Sequence, residues 1–130
     1  MPLVSVFTNL KRSEVSIVFL RKTSELLGRL LDKSSATIQI AVHTDQLVHC
    51  FNNEEPAAFI HVSIADRIGL EKRKEVVAEL TNLISSELKL NRKRFFIKFP
   101  PTTKDDVSYD GRLLSDLQSP TKSTKKNSKL

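Results

Sequence analysis

The sequence predicts an α+β domain: two β-α-β units building a four-stranded sheet with both helices on one face. Three observations carry that expectation. Short segments rich in β-branched and aromatic residues alternate with segments whose apolar residues recur at helical spacing. The order strand–helix–strand occurs twice, offset by about 55 residues. The chain has 130 residues, of which 39% are hydrophobic, enough to fill one core and too few for a large multidomain enzyme.

Leu3–Thr8 (LVSVFT) is short and β-branched and reads as the first strand, with Asn9–Arg12 turning the chain. Ser13 is placed to cap a helix running to about Asp32. Its apolar pairs Phe19/Leu20, Leu26/Leu27 and Leu30/Leu31 repeat at helical spacing, with Arg21, Lys22, Glu25 and Arg29 on the opposite side. Ile38, Ile40 and Val42 alternate with Gln39, Ala41 and His43 as a second strand, and Thr44–Pro56 is a loop rich in turn residues. The second unit repeats the order. Ala58, Ile60, Val62 and Ile64 alternate as a strand, Leu70, Val77, Leu80, Ile84 and Leu88 mark a helical stripe, and Phe95–Phe99 is a further strand. Each unit is expected to be a right-handed crossover joining parallel strands. Leu3, Phe7, Phe59, Phe95 and Phe99 then make the face away from the helices apolar, which predicts an oligomer that buries it. Asp110-Gly111, between Val107–Tyr109 and Leu113–Leu114, signals a small terminal hairpin.

The formal charge of +6 suggests a polyanion partner, but its distribution points elsewhere. Residues 119–130 (SPTKSTKKNSKL) hold four Lys and no acid, leaving 17 basic against 15 acidic residues in a folded domain of residues 1–118. The tail, of Ser/Thr/Lys composition, is expected to be disordered. It ends Ser128-Lys129-Leu130, a tripeptide that reads as a peroxisomal address for an import receptor. Cys50 is the only cysteine, so no intrachain disulfide forms, and its spacing from His43, His49 and His61 matches no metal motif. Three glycines leave no Gly-rich phosphate loop or dinucleotide fingerprint. No apolar run reaches the roughly 20 residues of a membrane span, and MPLVSVFTNLKR lacks the basic lead-in of a secretory signal. A peroxisomal protein is therefore expected, with a cytoplasmic one, or one exported by an unconventional route, as the alternative. Nucleic-acid binding on a ferredoxin-like sheet is set aside: the run Arg94–Phe99 lacks the RNA motif's glycine and lies on the last strand.

A doubled strand–helix–strand unit starting directly at Met1-Pro2 resembles the macrophage migration inhibitory factor and D-dopachrome tautomerase family of the tautomerase superfamily. The residues that carry the resemblance are Met1-Pro2, Thr8-Asn9, Phe19-Leu20, Lys33, Asp45-Gln46-Leu47, Glu55-Pro56, Ser63-Ile64, Ile68-Gly69 and Arg94. They run collinearly from residue 1 to about 111. The resemblance implies two antiparallel helices on the sheet and a homotrimer whose three sheets line a central barrel, disposing of the apolar face.

It also implies a cofactor-free keto–enol tautomerase acting on small α-keto acids such as phenylpyruvate, or on dopachrome-like compounds. The base would be the α-nitrogen of Pro2, freed by removal of Met1. Burial and a nearby cation keep such an amine neutral near pH 7. Lys33 falls at the position of that cation and of the group that holds the substrate carboxylate or enolate oxygen; outside the resemblance, it reads as a dipole partner at a helix end. The backbone N–H of Ile64 is a further donor. Phe96 and Lys98 stand where mammalian members place Tyr and Asn, retaining an aromatic wall and adding a charge, and Tyr109 aligns with the family's late aromatic. The Cys-x-x-Cys of some members is replaced by Ala57-Ala58-Phe59-Ile60, and the usual Ser-Ile-Gly is altered within Ser63–Ile68 (SIADRI). From the cytokine side of the family, a weakly catalytic signalling protein with a receptor partner is the competing expectation.

Overall fold

In the computed structural model, which describes residues 1–117, the strands β1 (Leu3–Thr8), β2 (Gln39–His43), β3 (Ala58–Ser63) and β4 (Phe95–Lys98) form one sheet in the order β2-β1-β3-β4. The sequence-predicted tail 119–130, with Ser128, Lys129 and Leu130, lies outside the described residues, as does Gln118. β1 runs parallel to β2 and β3 parallel to β4, while β1 and β3 pair antiparallel at the centre with Leu3 opposite Ser63 and Thr8 opposite Ala58. Each parallel pair is bridged by a helix, α1 (Ile17–Leu30) and α2 (Leu70–Leu88), as two β-α-β units require. Lys22, early in α1, reaches Glu87, at the end of α2, at 2.8 Å, so the helices lie antiparallel.

The period of two decides which residues meet the helices. Val4, Val6 and Thr8 of β1, Ala58, Ile60 and Val62 of β3 and Phe95 of β4 are buried. With Phe19 and Leu27 of α1 and Val76, Leu80, Ile84 and Leu88 of α2, their apolar members form one core.

Three expectations change at this level. Ser16, not Ser13, caps α1, its hydroxyl accepting from the Val18 N–H at 3.0 Å. Ser13 sits in a separate 3₁₀ turn, Arg12–Glu14, where the Glu14 carboxylate accepts from the Lys11 N–H, and Val15 buries itself before the helix starts. Phe95 is opposite Ala58 in the register and therefore faces the helices, and Phe99 also packs against the core. The outer face carries Phe96 instead, beside Phe59, their rings 6.0 Å apart. Finally, Val76 takes the core position in α2 while Leu70 and Val77 remain exposed, because the buried residues recur every fourth position.

After β4 the chain makes the expected hairpin, β5 (Ser108–Tyr109) with β6 (Arg112–Leu113), around Asp110 and Gly111, both at positive φ, and a one-turn helix α3 (Leu114–Leu117) follows. The loop between β2 and β3 is pinned by Arg94, whose guanidinium donates to the carbonyls of Cys50 (2.7 Å), Glu55 (2.7 Å) and Pro56 (3.2 Å). No described helix is long and apolar enough to cross a membrane.

Candidate active site

Pro2 stands immediately before β1 and is fully buried. Its carbonyl accepts from the Gln39 N–H at 3.0 Å, which ties the chain's start to the entry of β2. Since Leu3 is opposite Ser63 in the antiparallel register, the next residue outward on β3's side is Ile64, nearly buried. Pro2 and Ile64 thus share the end of the sheet where α1 finishes and α2 begins.

Lys33 reaches this end through the way α1 stops. Asp32 adopts a left-handed φ of 55°. The Lys33 N–H then donates back to the Gly28 carbonyl at 2.8 Å and the Asp32 N–H to the Arg29 carbonyl at 3.4 Å, the paired bonds of a Schellman turn. The helix end is satisfied by backbone, so the Lys33 side chain is not needed there. It pairs with Asp66 instead, Nζ to Oδ2 at 2.6 Å. That oxygen is sealed from solvent and has no aligned hydrogen bond, so the contact is an ion pair.

A second lysine completes the group. Lys104 lies 3.4 Å from the other oxygen of Asp66. The segment that brings it there is held by a turn in which Asp106 accepts from the N–H (2.9 Å) and hydroxyl (2.8 Å) of Thr103, and by the Ser115 N–H donating to the Lys104 carbonyl at 3.1 Å. Two cavities open on either side of Asp66 and share Ile64, Asp66, Arg67 and Ile68. The larger, about 670 Å³, extends to Phe99, Pro100 and Lys104; the smaller, about 280 Å³, extends to Leu31, Lys33 and Lys72.

The charges act on one another. Lys33 holds the Asp66 carboxyl below its ordinary value of 3.8, against the opposing effect of partial burial, and Lys104 adds to it. With Met1 in place the Pro2 nitrogen is an amide and the terminal amine belongs to Met1. Burial lowers that amine from its ordinary value of 8.0; Asp66 opposes the shift, while Lys33 and Lys104 assist it.

Pro2, Lys33 and Ile64 therefore converge on one end of the sheet. Phe96, Lys98 and Tyr109 do not line the two cavities there. Phe96 pairs with Phe59, which pairs with Phe7, placing it about 15 Å along the sheet from Pro2. Lys98 is opposite His61 on the outer face, and Tyr109 is exposed on the terminal hairpin. Besides Lys33, the cations that line the cavities within one chain are Lys104, Arg67, Lys72 and Arg73, and of these Lys104 is paired with Asp66. Sequence reasoning missed Asp66 and Lys104. The altered stretch at Ser63–Ile68 contains Asp66 and was the available signal; nothing local marks Lys104. Among the described residues no three His, Cys, Asp or Glu side chains gather as a metal-binding group.

A duplicated β-α-β sheet entered through a buried proline, with a lysine brought to the same end by α1, defines a protein of the tautomerase class. Within it, the chain belongs to the macrophage migration inhibitory factor family, whose model matches residues 1–115. A macrophage migration inhibitory factor homolog of Trichinella spiralis is 29% identical over 111 residues, covering 85% of this chain and 97% of that protein. The factor from Rattus norvegicus is 25% identical over 111 residues, again 85% of this chain and 96% of its own length. The solved structure of the Trichinella spiralis factor superposes with a TM-score of 0.80 at 27% identity, covering 85% of this chain and 98% of that one. A homologue from Prochlorococcus marinus shares the fold at a TM-score of 0.78 and 17% identity, covering 86% and 98%.

Proposed function

We propose that this protein is a keto–enol tautomerase for small α-keto acids of the phenylpyruvate type or for dopachrome-like compounds, with the Pro2 amine as base after loss of Met1. The observation that supports the reading is the environment of the terminal amine, here that of Met1: burial lowers its pKa most, Asp66 opposes the shift, and Lys33 and Lys104 assist it. A neutral secondary amine there removes a proton from the carbon beside the substrate ketone, and the electron pair moves onto the carbonyl oxygen. Lys33 and the Ile64 N–H are the groups available to hold the enolate oxygen or the substrate carboxylate. Delivery of the proton to that oxygen gives the enol, and the reverse sequence gives the ketone.

The exposed rings Phe59 (36%) and Phe96 (49%) support self-association through the outer sheet face. In a homotrimer, Phe96, Lys98 and Tyr109 would serve the site of a neighbouring copy and not their own. A second reading, a weakly catalytic cytokine-like protein with a receptor partner, is favoured by one observation: the lysine that would grip the substrate is already paired with Asp66.

Turnover of phenylpyruvate and of dopachrome methyl ester, with intact mass confirming loss of Met1, separates the two readings. Pro2→Gly is expected to lower kcat/KM by about 10²-fold or more. Equal rates for the two proteins would remove Pro2 as the base, and negligible turnover by the Met1-free wild type would favour the cytokine-like reading.

A further inference from the structure

Asp66 places a carboxylate where a substrate carboxylate would be gripped. Its two oxygens are divided between two lysines from distant parts of the chain, Lys33 at 2.6 Å and Lys104 at 3.4 Å. This is the bridging geometry in which two ammonium groups hold one anionic ligand. Asp66 also lines both cavities beside Ile64. None of the three side chains is locked away: Asp66 is 27% exposed, Lys33 37% and Lys104 32%. Asp66 Oδ2 itself is sealed beneath Lys33, but both lysine side chains reach water and the Lys104 contact is long, so the pairs are open to exchange with a ligand in solution.

We propose that Asp66 is a specificity-determining residue: an internal competitor that occupies the carboxylate-binding lysines and weakens the site for monocarboxylates relative to uncharged esters. The proposal rests on the site assignment given under Proposed function. A free acid entering the site must displace Asp66 from Lys33 and then remain close to a second negative charge. An ester of the same shape meets neither cost. Replacing the aspartate by asparagine keeps the side chain's volume and removes its charge, so both lysines become available to one incoming anion. The chain's own acid thereby sets the preference between acid and ester, a choice that Lys33 alone would tip strongly toward the acid.

The test uses the Met1-free full chain, with 3-phenylpropanoate as a non-tautomerising probe and its methyl ester as the uncharged control, both followed by calorimetry or NMR titration. Asp66→Asn is expected to bind the acid about three- to ten-fold more tightly and the ester unchanged. In turnover, KM for phenylpyruvate is expected to fall by a similar factor while kcat moves less. The double variant D66N/K104Q should keep part of the gain through Lys33, and D66N/K33Q should lose most of it. Acid binding that is unchanged or weaker in D66N, a gain shared equally by the ester, or a gain that survives K33Q in full would each overturn the proposal. Because the probe does not react, the outcome is independent of whether Pro2 is the base. A binding shift with full turnover in Pro2→Gly would sustain the role of Asp66 while removing that base. No shift, with Pro2 essential, would remove Asp66 alone.

Discussion

Gly28→Ala sets two opposing effects against each other. Gly28 is buried near the end of α1, and a Cβ built there would stand 2.8 Å from the Lys33 carbonyl oxygen, 3.1 Å from the Ser35 nitrogen and 3.2 Å from the Ser35 Cα. In an open helix the change from Gly to Ala is favourable by about 1 kcal/mol. Here all three atoms the methyl meets are backbone, so relief requires the turn after α1 to move as a unit. Overpacking of this kind costs about 1–3 kcal/mol. The displacement also strains the Lys33 N–H bond to the Gly28 carbonyl, worth about 1 kcal/mol. The costs exceed the propensity gain, and a net loss of about 1–2 kcal/mol is expected. In urea denaturation at fixed protein concentration this lowers the midpoint by roughly 0.5–1 M. The same movement carries Lys33 away from Asp66, so substrate KM should change along with stability. A variant as stable as the wild type, or more so, would refute the idea that close backbone approach at Gly28 holds Lys33 in place.

Two other perturbations follow from the same contacts. Arg94→Lys leaves one ammonium for three carbonyls, those of Cys50, Glu55 and Pro56; destabilisation of about 1–3 kcal/mol and faster hydrogen exchange confined to residues 44–57 are expected, and unchanged exchange there would show that the loop is held otherwise. The depressed Asp66 carboxyl contributes stability that is present above its ordinary value of 3.8 and is lost as pH falls through the lower folded value. The stability difference between wild type and Asp66→Asn should therefore shrink on acidification from about pH 5 to pH 3, and a constant difference would rule out Asp66 as the titrating group.

Much of the architecture is legible because it depends on local periodicity. The alternation in Leu3–Thr8 and Ala58–Ser63 places one side of each strand in the core, and Asp110-Gly111 takes the positive φ angles its turn needs. Where expectation and structure part, two local signals compete. Ser13 and Ser16 are both able to cap, and burial of Val15 between them decides for the later one. Phe95 and Phe96 are both aromatic, and only the pairing of Phe95 with Ala58 says which one faces the helices. A short apolar run carries hydrophobicity but not register, because a shift of one residue exchanges the faces.

The site divides along the same line. Pro2, Lys33 and Ile64 were identified from the sequence through their places in a family pattern, and the fold brings all three to one end of the sheet. Periodicity and pattern along the chain yield the doubled β-α-β order, the family and the candidates for base and cation. The pairing of Lys33, the candidate cation, exists only in the folded chain. Lys33, Asp66 and Lys104 are separated by 33 and 38 residues of chain, yet their charges meet within 2.6 and 3.4 Å. Coulomb interaction depends on distance through space and on burial, quantities that one-dimensional spacing does not contain.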